Sequence, residues 1–580
     1  MSTWSQAFDN RTDLAQYRDN ALGLFALALR FGVDDLATVA ANSITDGSDD
    51  KKCDIVHVDK DEQIAVIAQC YLSSRTRPSA PSNKASDLNT ALSWLLQRPV
   101  DDLPAKLRPA ALELRACIID GSVTEIHIWY VHNLPESENV RQELVTVEHT
   151  ADSILQNHFP GKKVSAFTQE VGIAKLEEWY NDTQSPILVS EKIDFPIPDG
   201  FEVKGAQWKA FVTAIPGRLL HRLYKRHGAK LFSANVRDYL GSRRSDANIN
   251  NGIKQSALNK PADFWVFNNG LTILVHSYDP PPPRKGGKLS ITGMSIVNGA
   301  QTTGALGSLS QAPGLGLMVP VRFVVTTDAD TVFDIIQFNN SQNRVTASDF
   351  RSRDKIQKRL RDEVALIPRA QYEGGRRGGA SDVIRRNANL LPSYTVGQAL
   401  AAVQLDPDVA YNQKSDIWAS DGLYSKYFTD DVTGAHLVFA YSLLRSVESR
   451  KAQLIFKLKS DVGVTDAEAK ELQYFRQRGS TFLLVSAIAA SIETIMKRKL
   501  ARLAKASFGS RVPPVDAERI WAPIVSVCTS FCPQLEEAFA DGLKNKEKIR
   551  RALTTFQSLV QATSTANHAT FKAFAAKVKV

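Results

Sequence analysis

The spacing of hydrophobic and polar residues changes along the chain and predicts three regions. In the first, apolar residues recur at helical spacing from Asp13 to Phe31, and two short apolar runs, CDIVHVD and QIAVIAQCY, are joined by a charged turn. Two such runs predict a β-hairpin. A helix around Asp87–Leu96, a strand over Val123–Val131 and a further helix and strand follow. We therefore predict a mixed α/β domain over residues 1–180.

The second region, residues 186–429, is also predicted to be mixed α/β. The runs PILVSEKIDF, ADFWVFNNGLTILVHSY and MVPVRFVVTT favour strands, whereas FDIIQFNNSQ and DFRSRDKIQKRLRDEVALI favour helices. Strand patterns fade afterwards, and residues 430–580 carry amphipathic helical patterns. The predicted fold class is a multidomain α/β protein with a helical C-terminal domain.

The length and composition of the chain indicate what class of protein it is and where in the cell it is expected. The chain has 580 residues, 43% hydrophobic and 23% charged, which fits a globular protein of several domains. Its first residues lack the pattern of a signal peptide, and it has no apolar run of about 18 residues. We expect a cytoplasmic protein without membrane segments. Five cysteines make no disulfide framework, and Cys528 and Cys532 are interpreted as buried apolar side chains rather than zinc ligands.

The positive charge is concentrated in one stretch. The net charge is +9, and residues Arg351–Arg386 contain eleven Arg or Lys against five Asp or Glu. Such a stretch can bind phosphate groups, although a charged run is more often the solvated face of a helix. The candidate nucleic-acid-binding residues are Arg351, Arg353, Lys355, Lys358, Arg359, Arg376 and Arg377.

Amide side chains cluster in the central region, in FNNGLTI, VNGAQTTGAL and FNNSQNRVTASD. Buried carboxamides need hydrogen-bond partners, so these clusters indicate either a hydrogen-bonded network or a polar ligand pocket. The alternative is structural, because Asn-Gly pairs form turns and Asn or Thr caps helices. The candidate pocket residues are Arg237, Asn268, Asn269, Asn298, Gln301, Asn340, Gln342 and Asn343.

These amide-rich segments, with LFSANVRDYLG and QYEGGRRG on either side, resemble the AIPR family of abortive-infection phage-resistance proteins over about 200 residues. The resemblance implies a role in abortive infection and a phage-derived trigger, but it supplies no reaction. Within it, a strand is predicted to end at Asn298-Gly299 and a helix to begin near Gln301. A glycine turn before a helix presents free backbone N–H groups, which is one way to build a phosphate cradle.

The hairpin sequence resembles the core of restriction-endonuclease-like domains of the Mrr type. There, an Asp at the start of one strand and a Gln or acid on the next, followed two residues later by Lys, surround Mg²⁺. Asp54 matches the metal-binding Asp, and Gln69 matches the Gln. The expected Lys is replaced by Tyr71, so Lys84 is the candidate catalytic cation, with Lys51 and Lys52 as alternatives. A simpler interpretation is that Asp50 and Asp54 only shape a turn.

Three hypotheses remain. The first is an antiviral effector that cleaves DNA or RNA with Mg²⁺, whose AIPR core senses the phage. The second is a binding module on a degenerate nuclease fold, marked by salt-sensitive binding without turnover. The third is a nucleotide switch built on Val297–Leu306, marked by stabilisation with nucleotide. A homo-oligomer, assembled through the C-terminal helices, is compatible with each.

Overall fold

The computed structural model describes residues 3–33, 35–45, 50–184, 189–228, 231–232, 247–280, 287–326, 328, 331–332, 335, 351, 354–374, 388–458 and 463–580. Contacts group the chain into two compact units. Unit 1 comprises Met1–Glu177 and Thr346–Val580, and unit 2 comprises Glu178–Val345. Residues 346–429, predicted from the sequence to belong to a central domain, thus lie in unit 1. That the chain folds as three independent domains, residues 1–180, 186–429 and 430–580, stays a prediction.

The N-terminal part of unit 1 is built around a four-stranded sheet in the order β1-β2-β3-β4. Its strands are β1 (Ile55–Asp59), β2 (Ile64–Tyr71), β3 (Glu125–His132) and β4 (Ser165–Val171). β1 and β2 pair antiparallel, with Ile55 opposite Ala68, which confirms the predicted hairpin. β3 and β4 extend the sheet in parallel.

Helices pack against this sheet, and its strand β2 is apolar and buried along most of its length. The helices of this part are α1 (Trp4–Asp9), α2 (Asn20–Phe31), α3 (Leu36–Ser43), α4 (Ser82–Ser86), α5 (Leu88–Leu92), α6 (Arg108–Asp120), α7 (Glu138–His158) and α8 (Ile173–Gln184). On one face, α2 comes so close that a Cβ on Gly23 would lie 2.6 Å from the Cys70 sulfur. The single helix predicted over Asp13–Phe31 is interrupted, because Thr12–Tyr17 forms a 3-10 turn.

Unit 2 contains a seven-stranded sheet in the order β5-β10-β8-β11-β7-β6, with β9 beside β10. The strands are β5 (Val189–Ile197), β6 (Gly200–Lys204), β7 (Trp208–Pro216), β8 (Leu271–Leu274), β9 (Ser277–Asp279), β10 (Gly287–Asn298) and β11 (Met318–Thr326). The helices are α9 (Gly217–His227), α10 (Ala247–Asn259), α11 (Phe264–Phe267) and α12 (Ala300–Gly307). The predicted strand ADFWVFNNGLTILVHSY was wrong in its first part, because Phe264–Phe267 is helical.

The helical pattern predicted for residues 430–580 is confirmed over the described residues, whereas the described residues between 351 and 429, predicted to be mixed α/β, also form mainly helices. Two short strands, β12 (Gln371–Tyr372) and β13 (Leu390–Leu391), belong to this C-terminal part of unit 1. Its helices are α13 (Lys355–Ala365), α14 (Ser393–Val403), α15 (Pro407–Asn412), α16 (Asp416–Ala419), α17 (Asp421–Tyr427), α18 (Gly434–Leu458), α19 (Asp466–Phe475), α20 (Ser480–Ala490), α21 (Ile492–Met496), α22 (Pro514–Thr529), α23 (Lys546–Ala562) and α24 (His568–Ala575). A large apolar core holds these helices together, with the indole rings of Trp418 and Trp521 fully buried in it.

Polar contacts join the two sequence-distant parts of unit 1. The Arg445 guanidinium in α18 lies 2.6 Å from the Asp35 carboxylate just before α3. The Tyr411 hydroxyl in α15 donates to the Glu113 carboxylate in α6 at 2.7 Å. These polar groups lie largely out of contact with water. Their hydrogen bonds therefore fix how the N-terminal and C-terminal parts of unit 1 pack together more specifically than apolar contacts alone would.

Candidate functional site

Four polar side chains form one row across the N-terminal sheet. Asp54 directly precedes β1; its backbone N–H donates to the Ala68 carbonyl, and its carboxylate accepts from the Cys70 N–H, so it lies beside the segment of β2 that contains Gln69. Gln69 pairs with Tyr130 of β3, and Tyr130 pairs with Glu170 of β4. Residues paired in register point to the same face of a sheet, so the Gln69, Tyr130 and Glu170 side chains lie side by side. The hydrogen bond from the Cys70 N–H places the Asp54 carboxylate at the Gln69 end of this row. The sheet register therefore brings together residues that are up to 116 positions apart in sequence.

Gln69 has an unsatisfied oxygen in this row. The residue is 5% exposed, and its side-chain oxygen Oε1 has no hydrogen-bond partner in the described part of the chain. An unpaired buried polar group costs about 1–3 kcal/mol. The half-buried carboxylate of Asp54 is oriented by the backbone N–H of Cys70, which donates to Oδ2 at 2.7 Å. An oriented carboxylate therefore lies beside the strand segment that carries a buried oxygen without a partner among the described residues.

A lysine lies close to the position where the resemblance expects one. Tyr71 follows Gln69 by two residues and points to the same face of β2. Lys84, in α4, places its Nζ 5.1 Å from the centroid of the Tyr71 ring, within the range of a cation–π contact. Lys51, one of the alternatives, lies over the Trp94 ring instead, 4.5 Å from its centroid.

Sequence reasoning missed a buried histidine that contacts the Glu170 carboxylate of this row. His132 is fully buried, and its Nε2 lies 3.1 Å from the Glu170 carboxylate. The backbone N–H of Ser137 donates to the same carboxylate at 3.1 Å. The Tyr130 ring lies 4.9 Å from the His132 ring, and burial raises the pKa of the Tyr130 hydroxyl. Polar residues at the ends of two apolar strands were the sequence feature that could have indicated this pair.

The donor set fits a magnesium ion that keeps part of its water shell. Asp54 offers a carboxylate and Gln69 an amide oxygen, and hard cations prefer oxygen ligands. Among the described residues, no group of three or more His, Cys, Asp or Glu side chains could enclose a metal. Mg²⁺ is commonly held by one or two protein carboxylates together with waters and substrate phosphates, and this row matches that open arrangement.

The strand, glycine turn and helix predicted around Asn298 are confirmed. β10 ends at Asn298, Gly299 has a φ of +97°, and α12 follows at Ala300. Asn268 has a structural role here: its Nδ2 donates to the Thr302 hydroxyl at 2.9 Å, and its Oδ1 accepts from the Gly270 N–H at 2.9 Å.

The other predicted pocket residues differ in exposure, and half of the eight candidates are not described by the structure. Asn269 is exposed, while Asn298 and Gln301 are half-buried. Arg237, Asn340, Gln342 and Asn343 lie outside the described residues.

The candidate nucleic-acid-binding residues divide into two groups. Arg351 forms ion pairs with Asp421 and Asp354, and Arg359 pairs with Glu363 at 2.8 Å. Lys355 and Lys358 are exposed on α13, whereas Arg353, Arg376 and Arg377 lie outside the described residues. The two described arginines are therefore engaged within the protein, which leaves the two lysines as the accessible cations of this group.

The cysteines are buried, as interpreted from the sequence. Burial raises the pKa of the Cys528 thiol to about 12, so it stays protonated at neutral pH. This environment does not suit a thiolate ligand for zinc.

The fold and the polar row define a mixed α/β protein with a row of polar side chains at the strand ends of its N-terminal sheet. A family model described as AIPR protein matches residues 232–562, more than half of the chain, and the protein belongs to this family. No curated protein and no solved structure matches the chain. Membership indicates a role in abortive-infection defence against phage. The polar row precedes the matched residues, and no helix in the described ranges has the length and apolar character to cross a membrane.

Proposed function

We propose that this protein is an abortive-infection effector that hydrolyses phosphodiester bonds of nucleic acid with the help of Mg²⁺. The single observation that carries the proposal is that the buried Gln69 Oε1 has no partner among the described residues, while the N–H of the next residue, Cys70, orients the Asp54 carboxylate beside it. The resemblance of the hairpin to restriction-endonuclease-like domains supports the same chemistry.

Each side chain has a distinct role in this proposal. Asp54 and Gln69 would hold the metal through one carboxylate and one amide oxygen, and the metal when bound stabilises the negative charge that grows on the phosphate. The Lys84 ammonium orients the attacking water. Tyr71, which stands where the lysine is expected, supplies the aromatic face that holds this ammonium in place.

The first experiment measures cleavage of labelled DNA and RNA by the full-length protein with Mg²⁺ or Mn²⁺. Asp54→Asn is expected to abolish cleavage, whereas the exposed Asp102→Asn is expected to leave it unchanged. Lys84→Met should lower the rate by about 100-fold or more, the usual effect of removing one preorganised hydrogen-bond donor from an active site. Lys163→Met, at an exposed lysine of the same sheet region, is the matched control.

A rescue variant tests the position of the lysine. If Lys84 replaces the cation expected after Gln69, adding Tyr71→Lys to the Lys84→Met protein should restore cleavage, because the new ammonium lies on the same face of β2. Cleavage that is unaffected by Asp54→Asn would refute the proposed metal site. Cleavage lost in Lys84→Met and not recovered in the double variant would refute the proposed role of Tyr71.

A second candidate function is nucleic-acid binding without hydrolysis. It is favoured by Tyr71 at the lysine position and by the lack, among the described residues, of three or more His, Cys, Asp or Glu side chains grouped to hold a metal. Salt-dependent binding together with no cleavage under any metal would select this function over the first. In both candidate functions, the AIPR region would recognise a phage-derived trigger.

A further inference from the structure

Helix α9 in unit 2 presents a stripe of positive charge that the sequence analysis did not single out. Arg218, Arg222 and Lys225 are exposed and follow one another at intervals of four and three residues. Residues at this spacing lie on the same face of a helix. The helix, GRLLHRLYKRH, contains no acidic residue, so nothing within it neutralises the stripe.

The opposite face anchors the helix in the core of unit 2. Leu220 is fully buried and Leu223 is 5% exposed. Gly217 packs so closely that an added Cβ would lie 2.2 Å from a methyl group of Leu317. The apolar side chains of α9 are buried or half-buried, so the helix has no exposed apolar face of the kind that inserts into a membrane.

In α9, the cations that form ion pairs with acidic residues lie at the C-terminal end of the helix. Arg226 and His227 both contact the Glu191 carboxylate, at 3.0 and 2.8 Å. Among the described residues, Arg218, Arg222 and Lys225 have no acidic partner. The three cations are therefore available to an external anion.

Helix stability does not explain the stripe either. Cations in the last turn of a helix are favoured by its dipole, which suits Lys225, but a cation in the first turn, such as Arg218, is disfavoured. Arg218 and Arg222 also repel each other at a spacing of four residues, which costs a few tenths of a kcal/mol. A bound polyanion would offset both terms.

We infer that this face of α9 binds the phosphate backbone of nucleic acid. From Arg218 to Lys225 the helix rises roughly 10 Å, a length over which one strand of B-DNA carries about three phosphates. The choice of nucleic acid as the polyanion rests on the proposed function. The surface supplies backbone affinity, since arginine and lysine contacts to phosphate carry no base specificity.

The test measures binding of a labelled duplex and a labelled single-stranded RNA to the full-length protein in EDTA, which separates binding from cleavage. The affinity is followed by fluorescence anisotropy between about 50 and 200 mM salt. The triple variant Arg218→Gln, Arg222→Gln, Lys225→Gln should bind the duplex more weakly, and the slope of log affinity against log salt should become shallower by about 2–3. These residues are exposed, so the variant should keep the wild-type melting temperature.

A second triple variant removes the same charge from exposed positions in unit 1, with Arg550→Gln, Lys572→Gln and Lys577→Gln, and should keep the wild-type slope. An unchanged slope in the α9 variant, or an equal decrease in both variants, would overturn the inference. Loss of binding to phosphatidylserine vesicles, with nucleic-acid binding intact, would also overturn it in favour of a membrane. Wild-type protein that binds through α9 but cleaves under no metal would contradict the proposed hydrolysis and leave this inference standing.

Discussion

Replacing Arg445 with methionine removes the cation from a buried ionic cluster while keeping much of the side-chain volume. The guanidinium lies 2.6 Å from the Asp35 carboxylate and 3.0 Å from that of Glu448, and it also donates to the Thr38 hydroxyl at 2.9 Å. The side chains of Arg445, Asp35 and Glu448 are 11%, 5% and 3% exposed. The substitution therefore leaves two buried carboxylates without their cation.

The expected loss follows from this geometry. Removing one partner of a buried ion pair costs about 3–5 kcal/mol. Asp35 keeps other donors, since it accepts from the backbone N–H of Ala37 and Thr38 and from the Thr395 hydroxyl. These contacts favour the lower end, about 3 kcal/mol. The remaining carboxylates would have raised pKa values, so the loss should be smaller in acid than at neutral pH.

The assay combines urea unfolding with hydrogen exchange of the peptides that cover α3 and α18. At about 3 kcal/mol, exchange limited by unfolding of these segments should accelerate by roughly 100-fold. Arg141→Met is the matched control, because its pair with Glu138 is exposed, at 64% and 58%, and should contribute less than about 1 kcal/mol. If Arg445→Met and Arg141→Met lower the unfolding free energy equally, the cluster does not join the two parts of unit 1.

Two further predictions concern pH and backbone conformation. Burial lowers the pKa of His436 to about 4, so between about pH 6.5 and 4 the unfolded chain binds a proton that the folded ring does not. His436 should therefore lower the unfolding free energy by about 3 kcal/mol on acidification through this window, and urea midpoints of His436→Gln should depend less on pH; identical pH profiles would contradict this. Gly299→Ala should destabilise unit 2 by about 2 kcal/mol, because its φ is +97° and a Cβ would lie 2.7 Å from Leu271. Gly314→Ala, which has open space, should melt like the wild type, and a similar melt for Gly299→Ala would refute the strain.

The candidate site was only partly accessible from the sequence. Asp54 and Gln69 were found because the hairpin sequence resembles the core of restriction-endonuclease-like domains, and Lys84 was the nearby candidate for the lysine that this core lacks here. Tyr130 and Glu170 were missed, since their place beside Gln69 depends on the parallel register of β3 and β4. A register between strands separated by long helices has no local sequence pattern.

The sequence also did not show which positive charges are accessible in either unit. The sequence identified the densest basic stretch, but Arg351 and Arg359 pair with acidic residues and so contribute little accessible charge. The stripe on α9 carries less charge, and it stands out because its two arginines and its lysine form no ion pair within the described part of the chain. Whether a cation is paired depends on which acidic residues the fold brings near it.

The sequence by itself determined the local elements of this protein: the hairpin from Ile55 to Tyr71, the glycine turn before α12 and the helices of the C-terminal part. Each depends on hydrophobic periodicity or turn chemistry within a few residues. The tertiary structure alone decided which polar groups meet. The burial of the Gln69 oxygen without a partner and the contact of Asp35 with Arg445 depend on packing between distant segments, where desolvation and distance together set the energy of each contact.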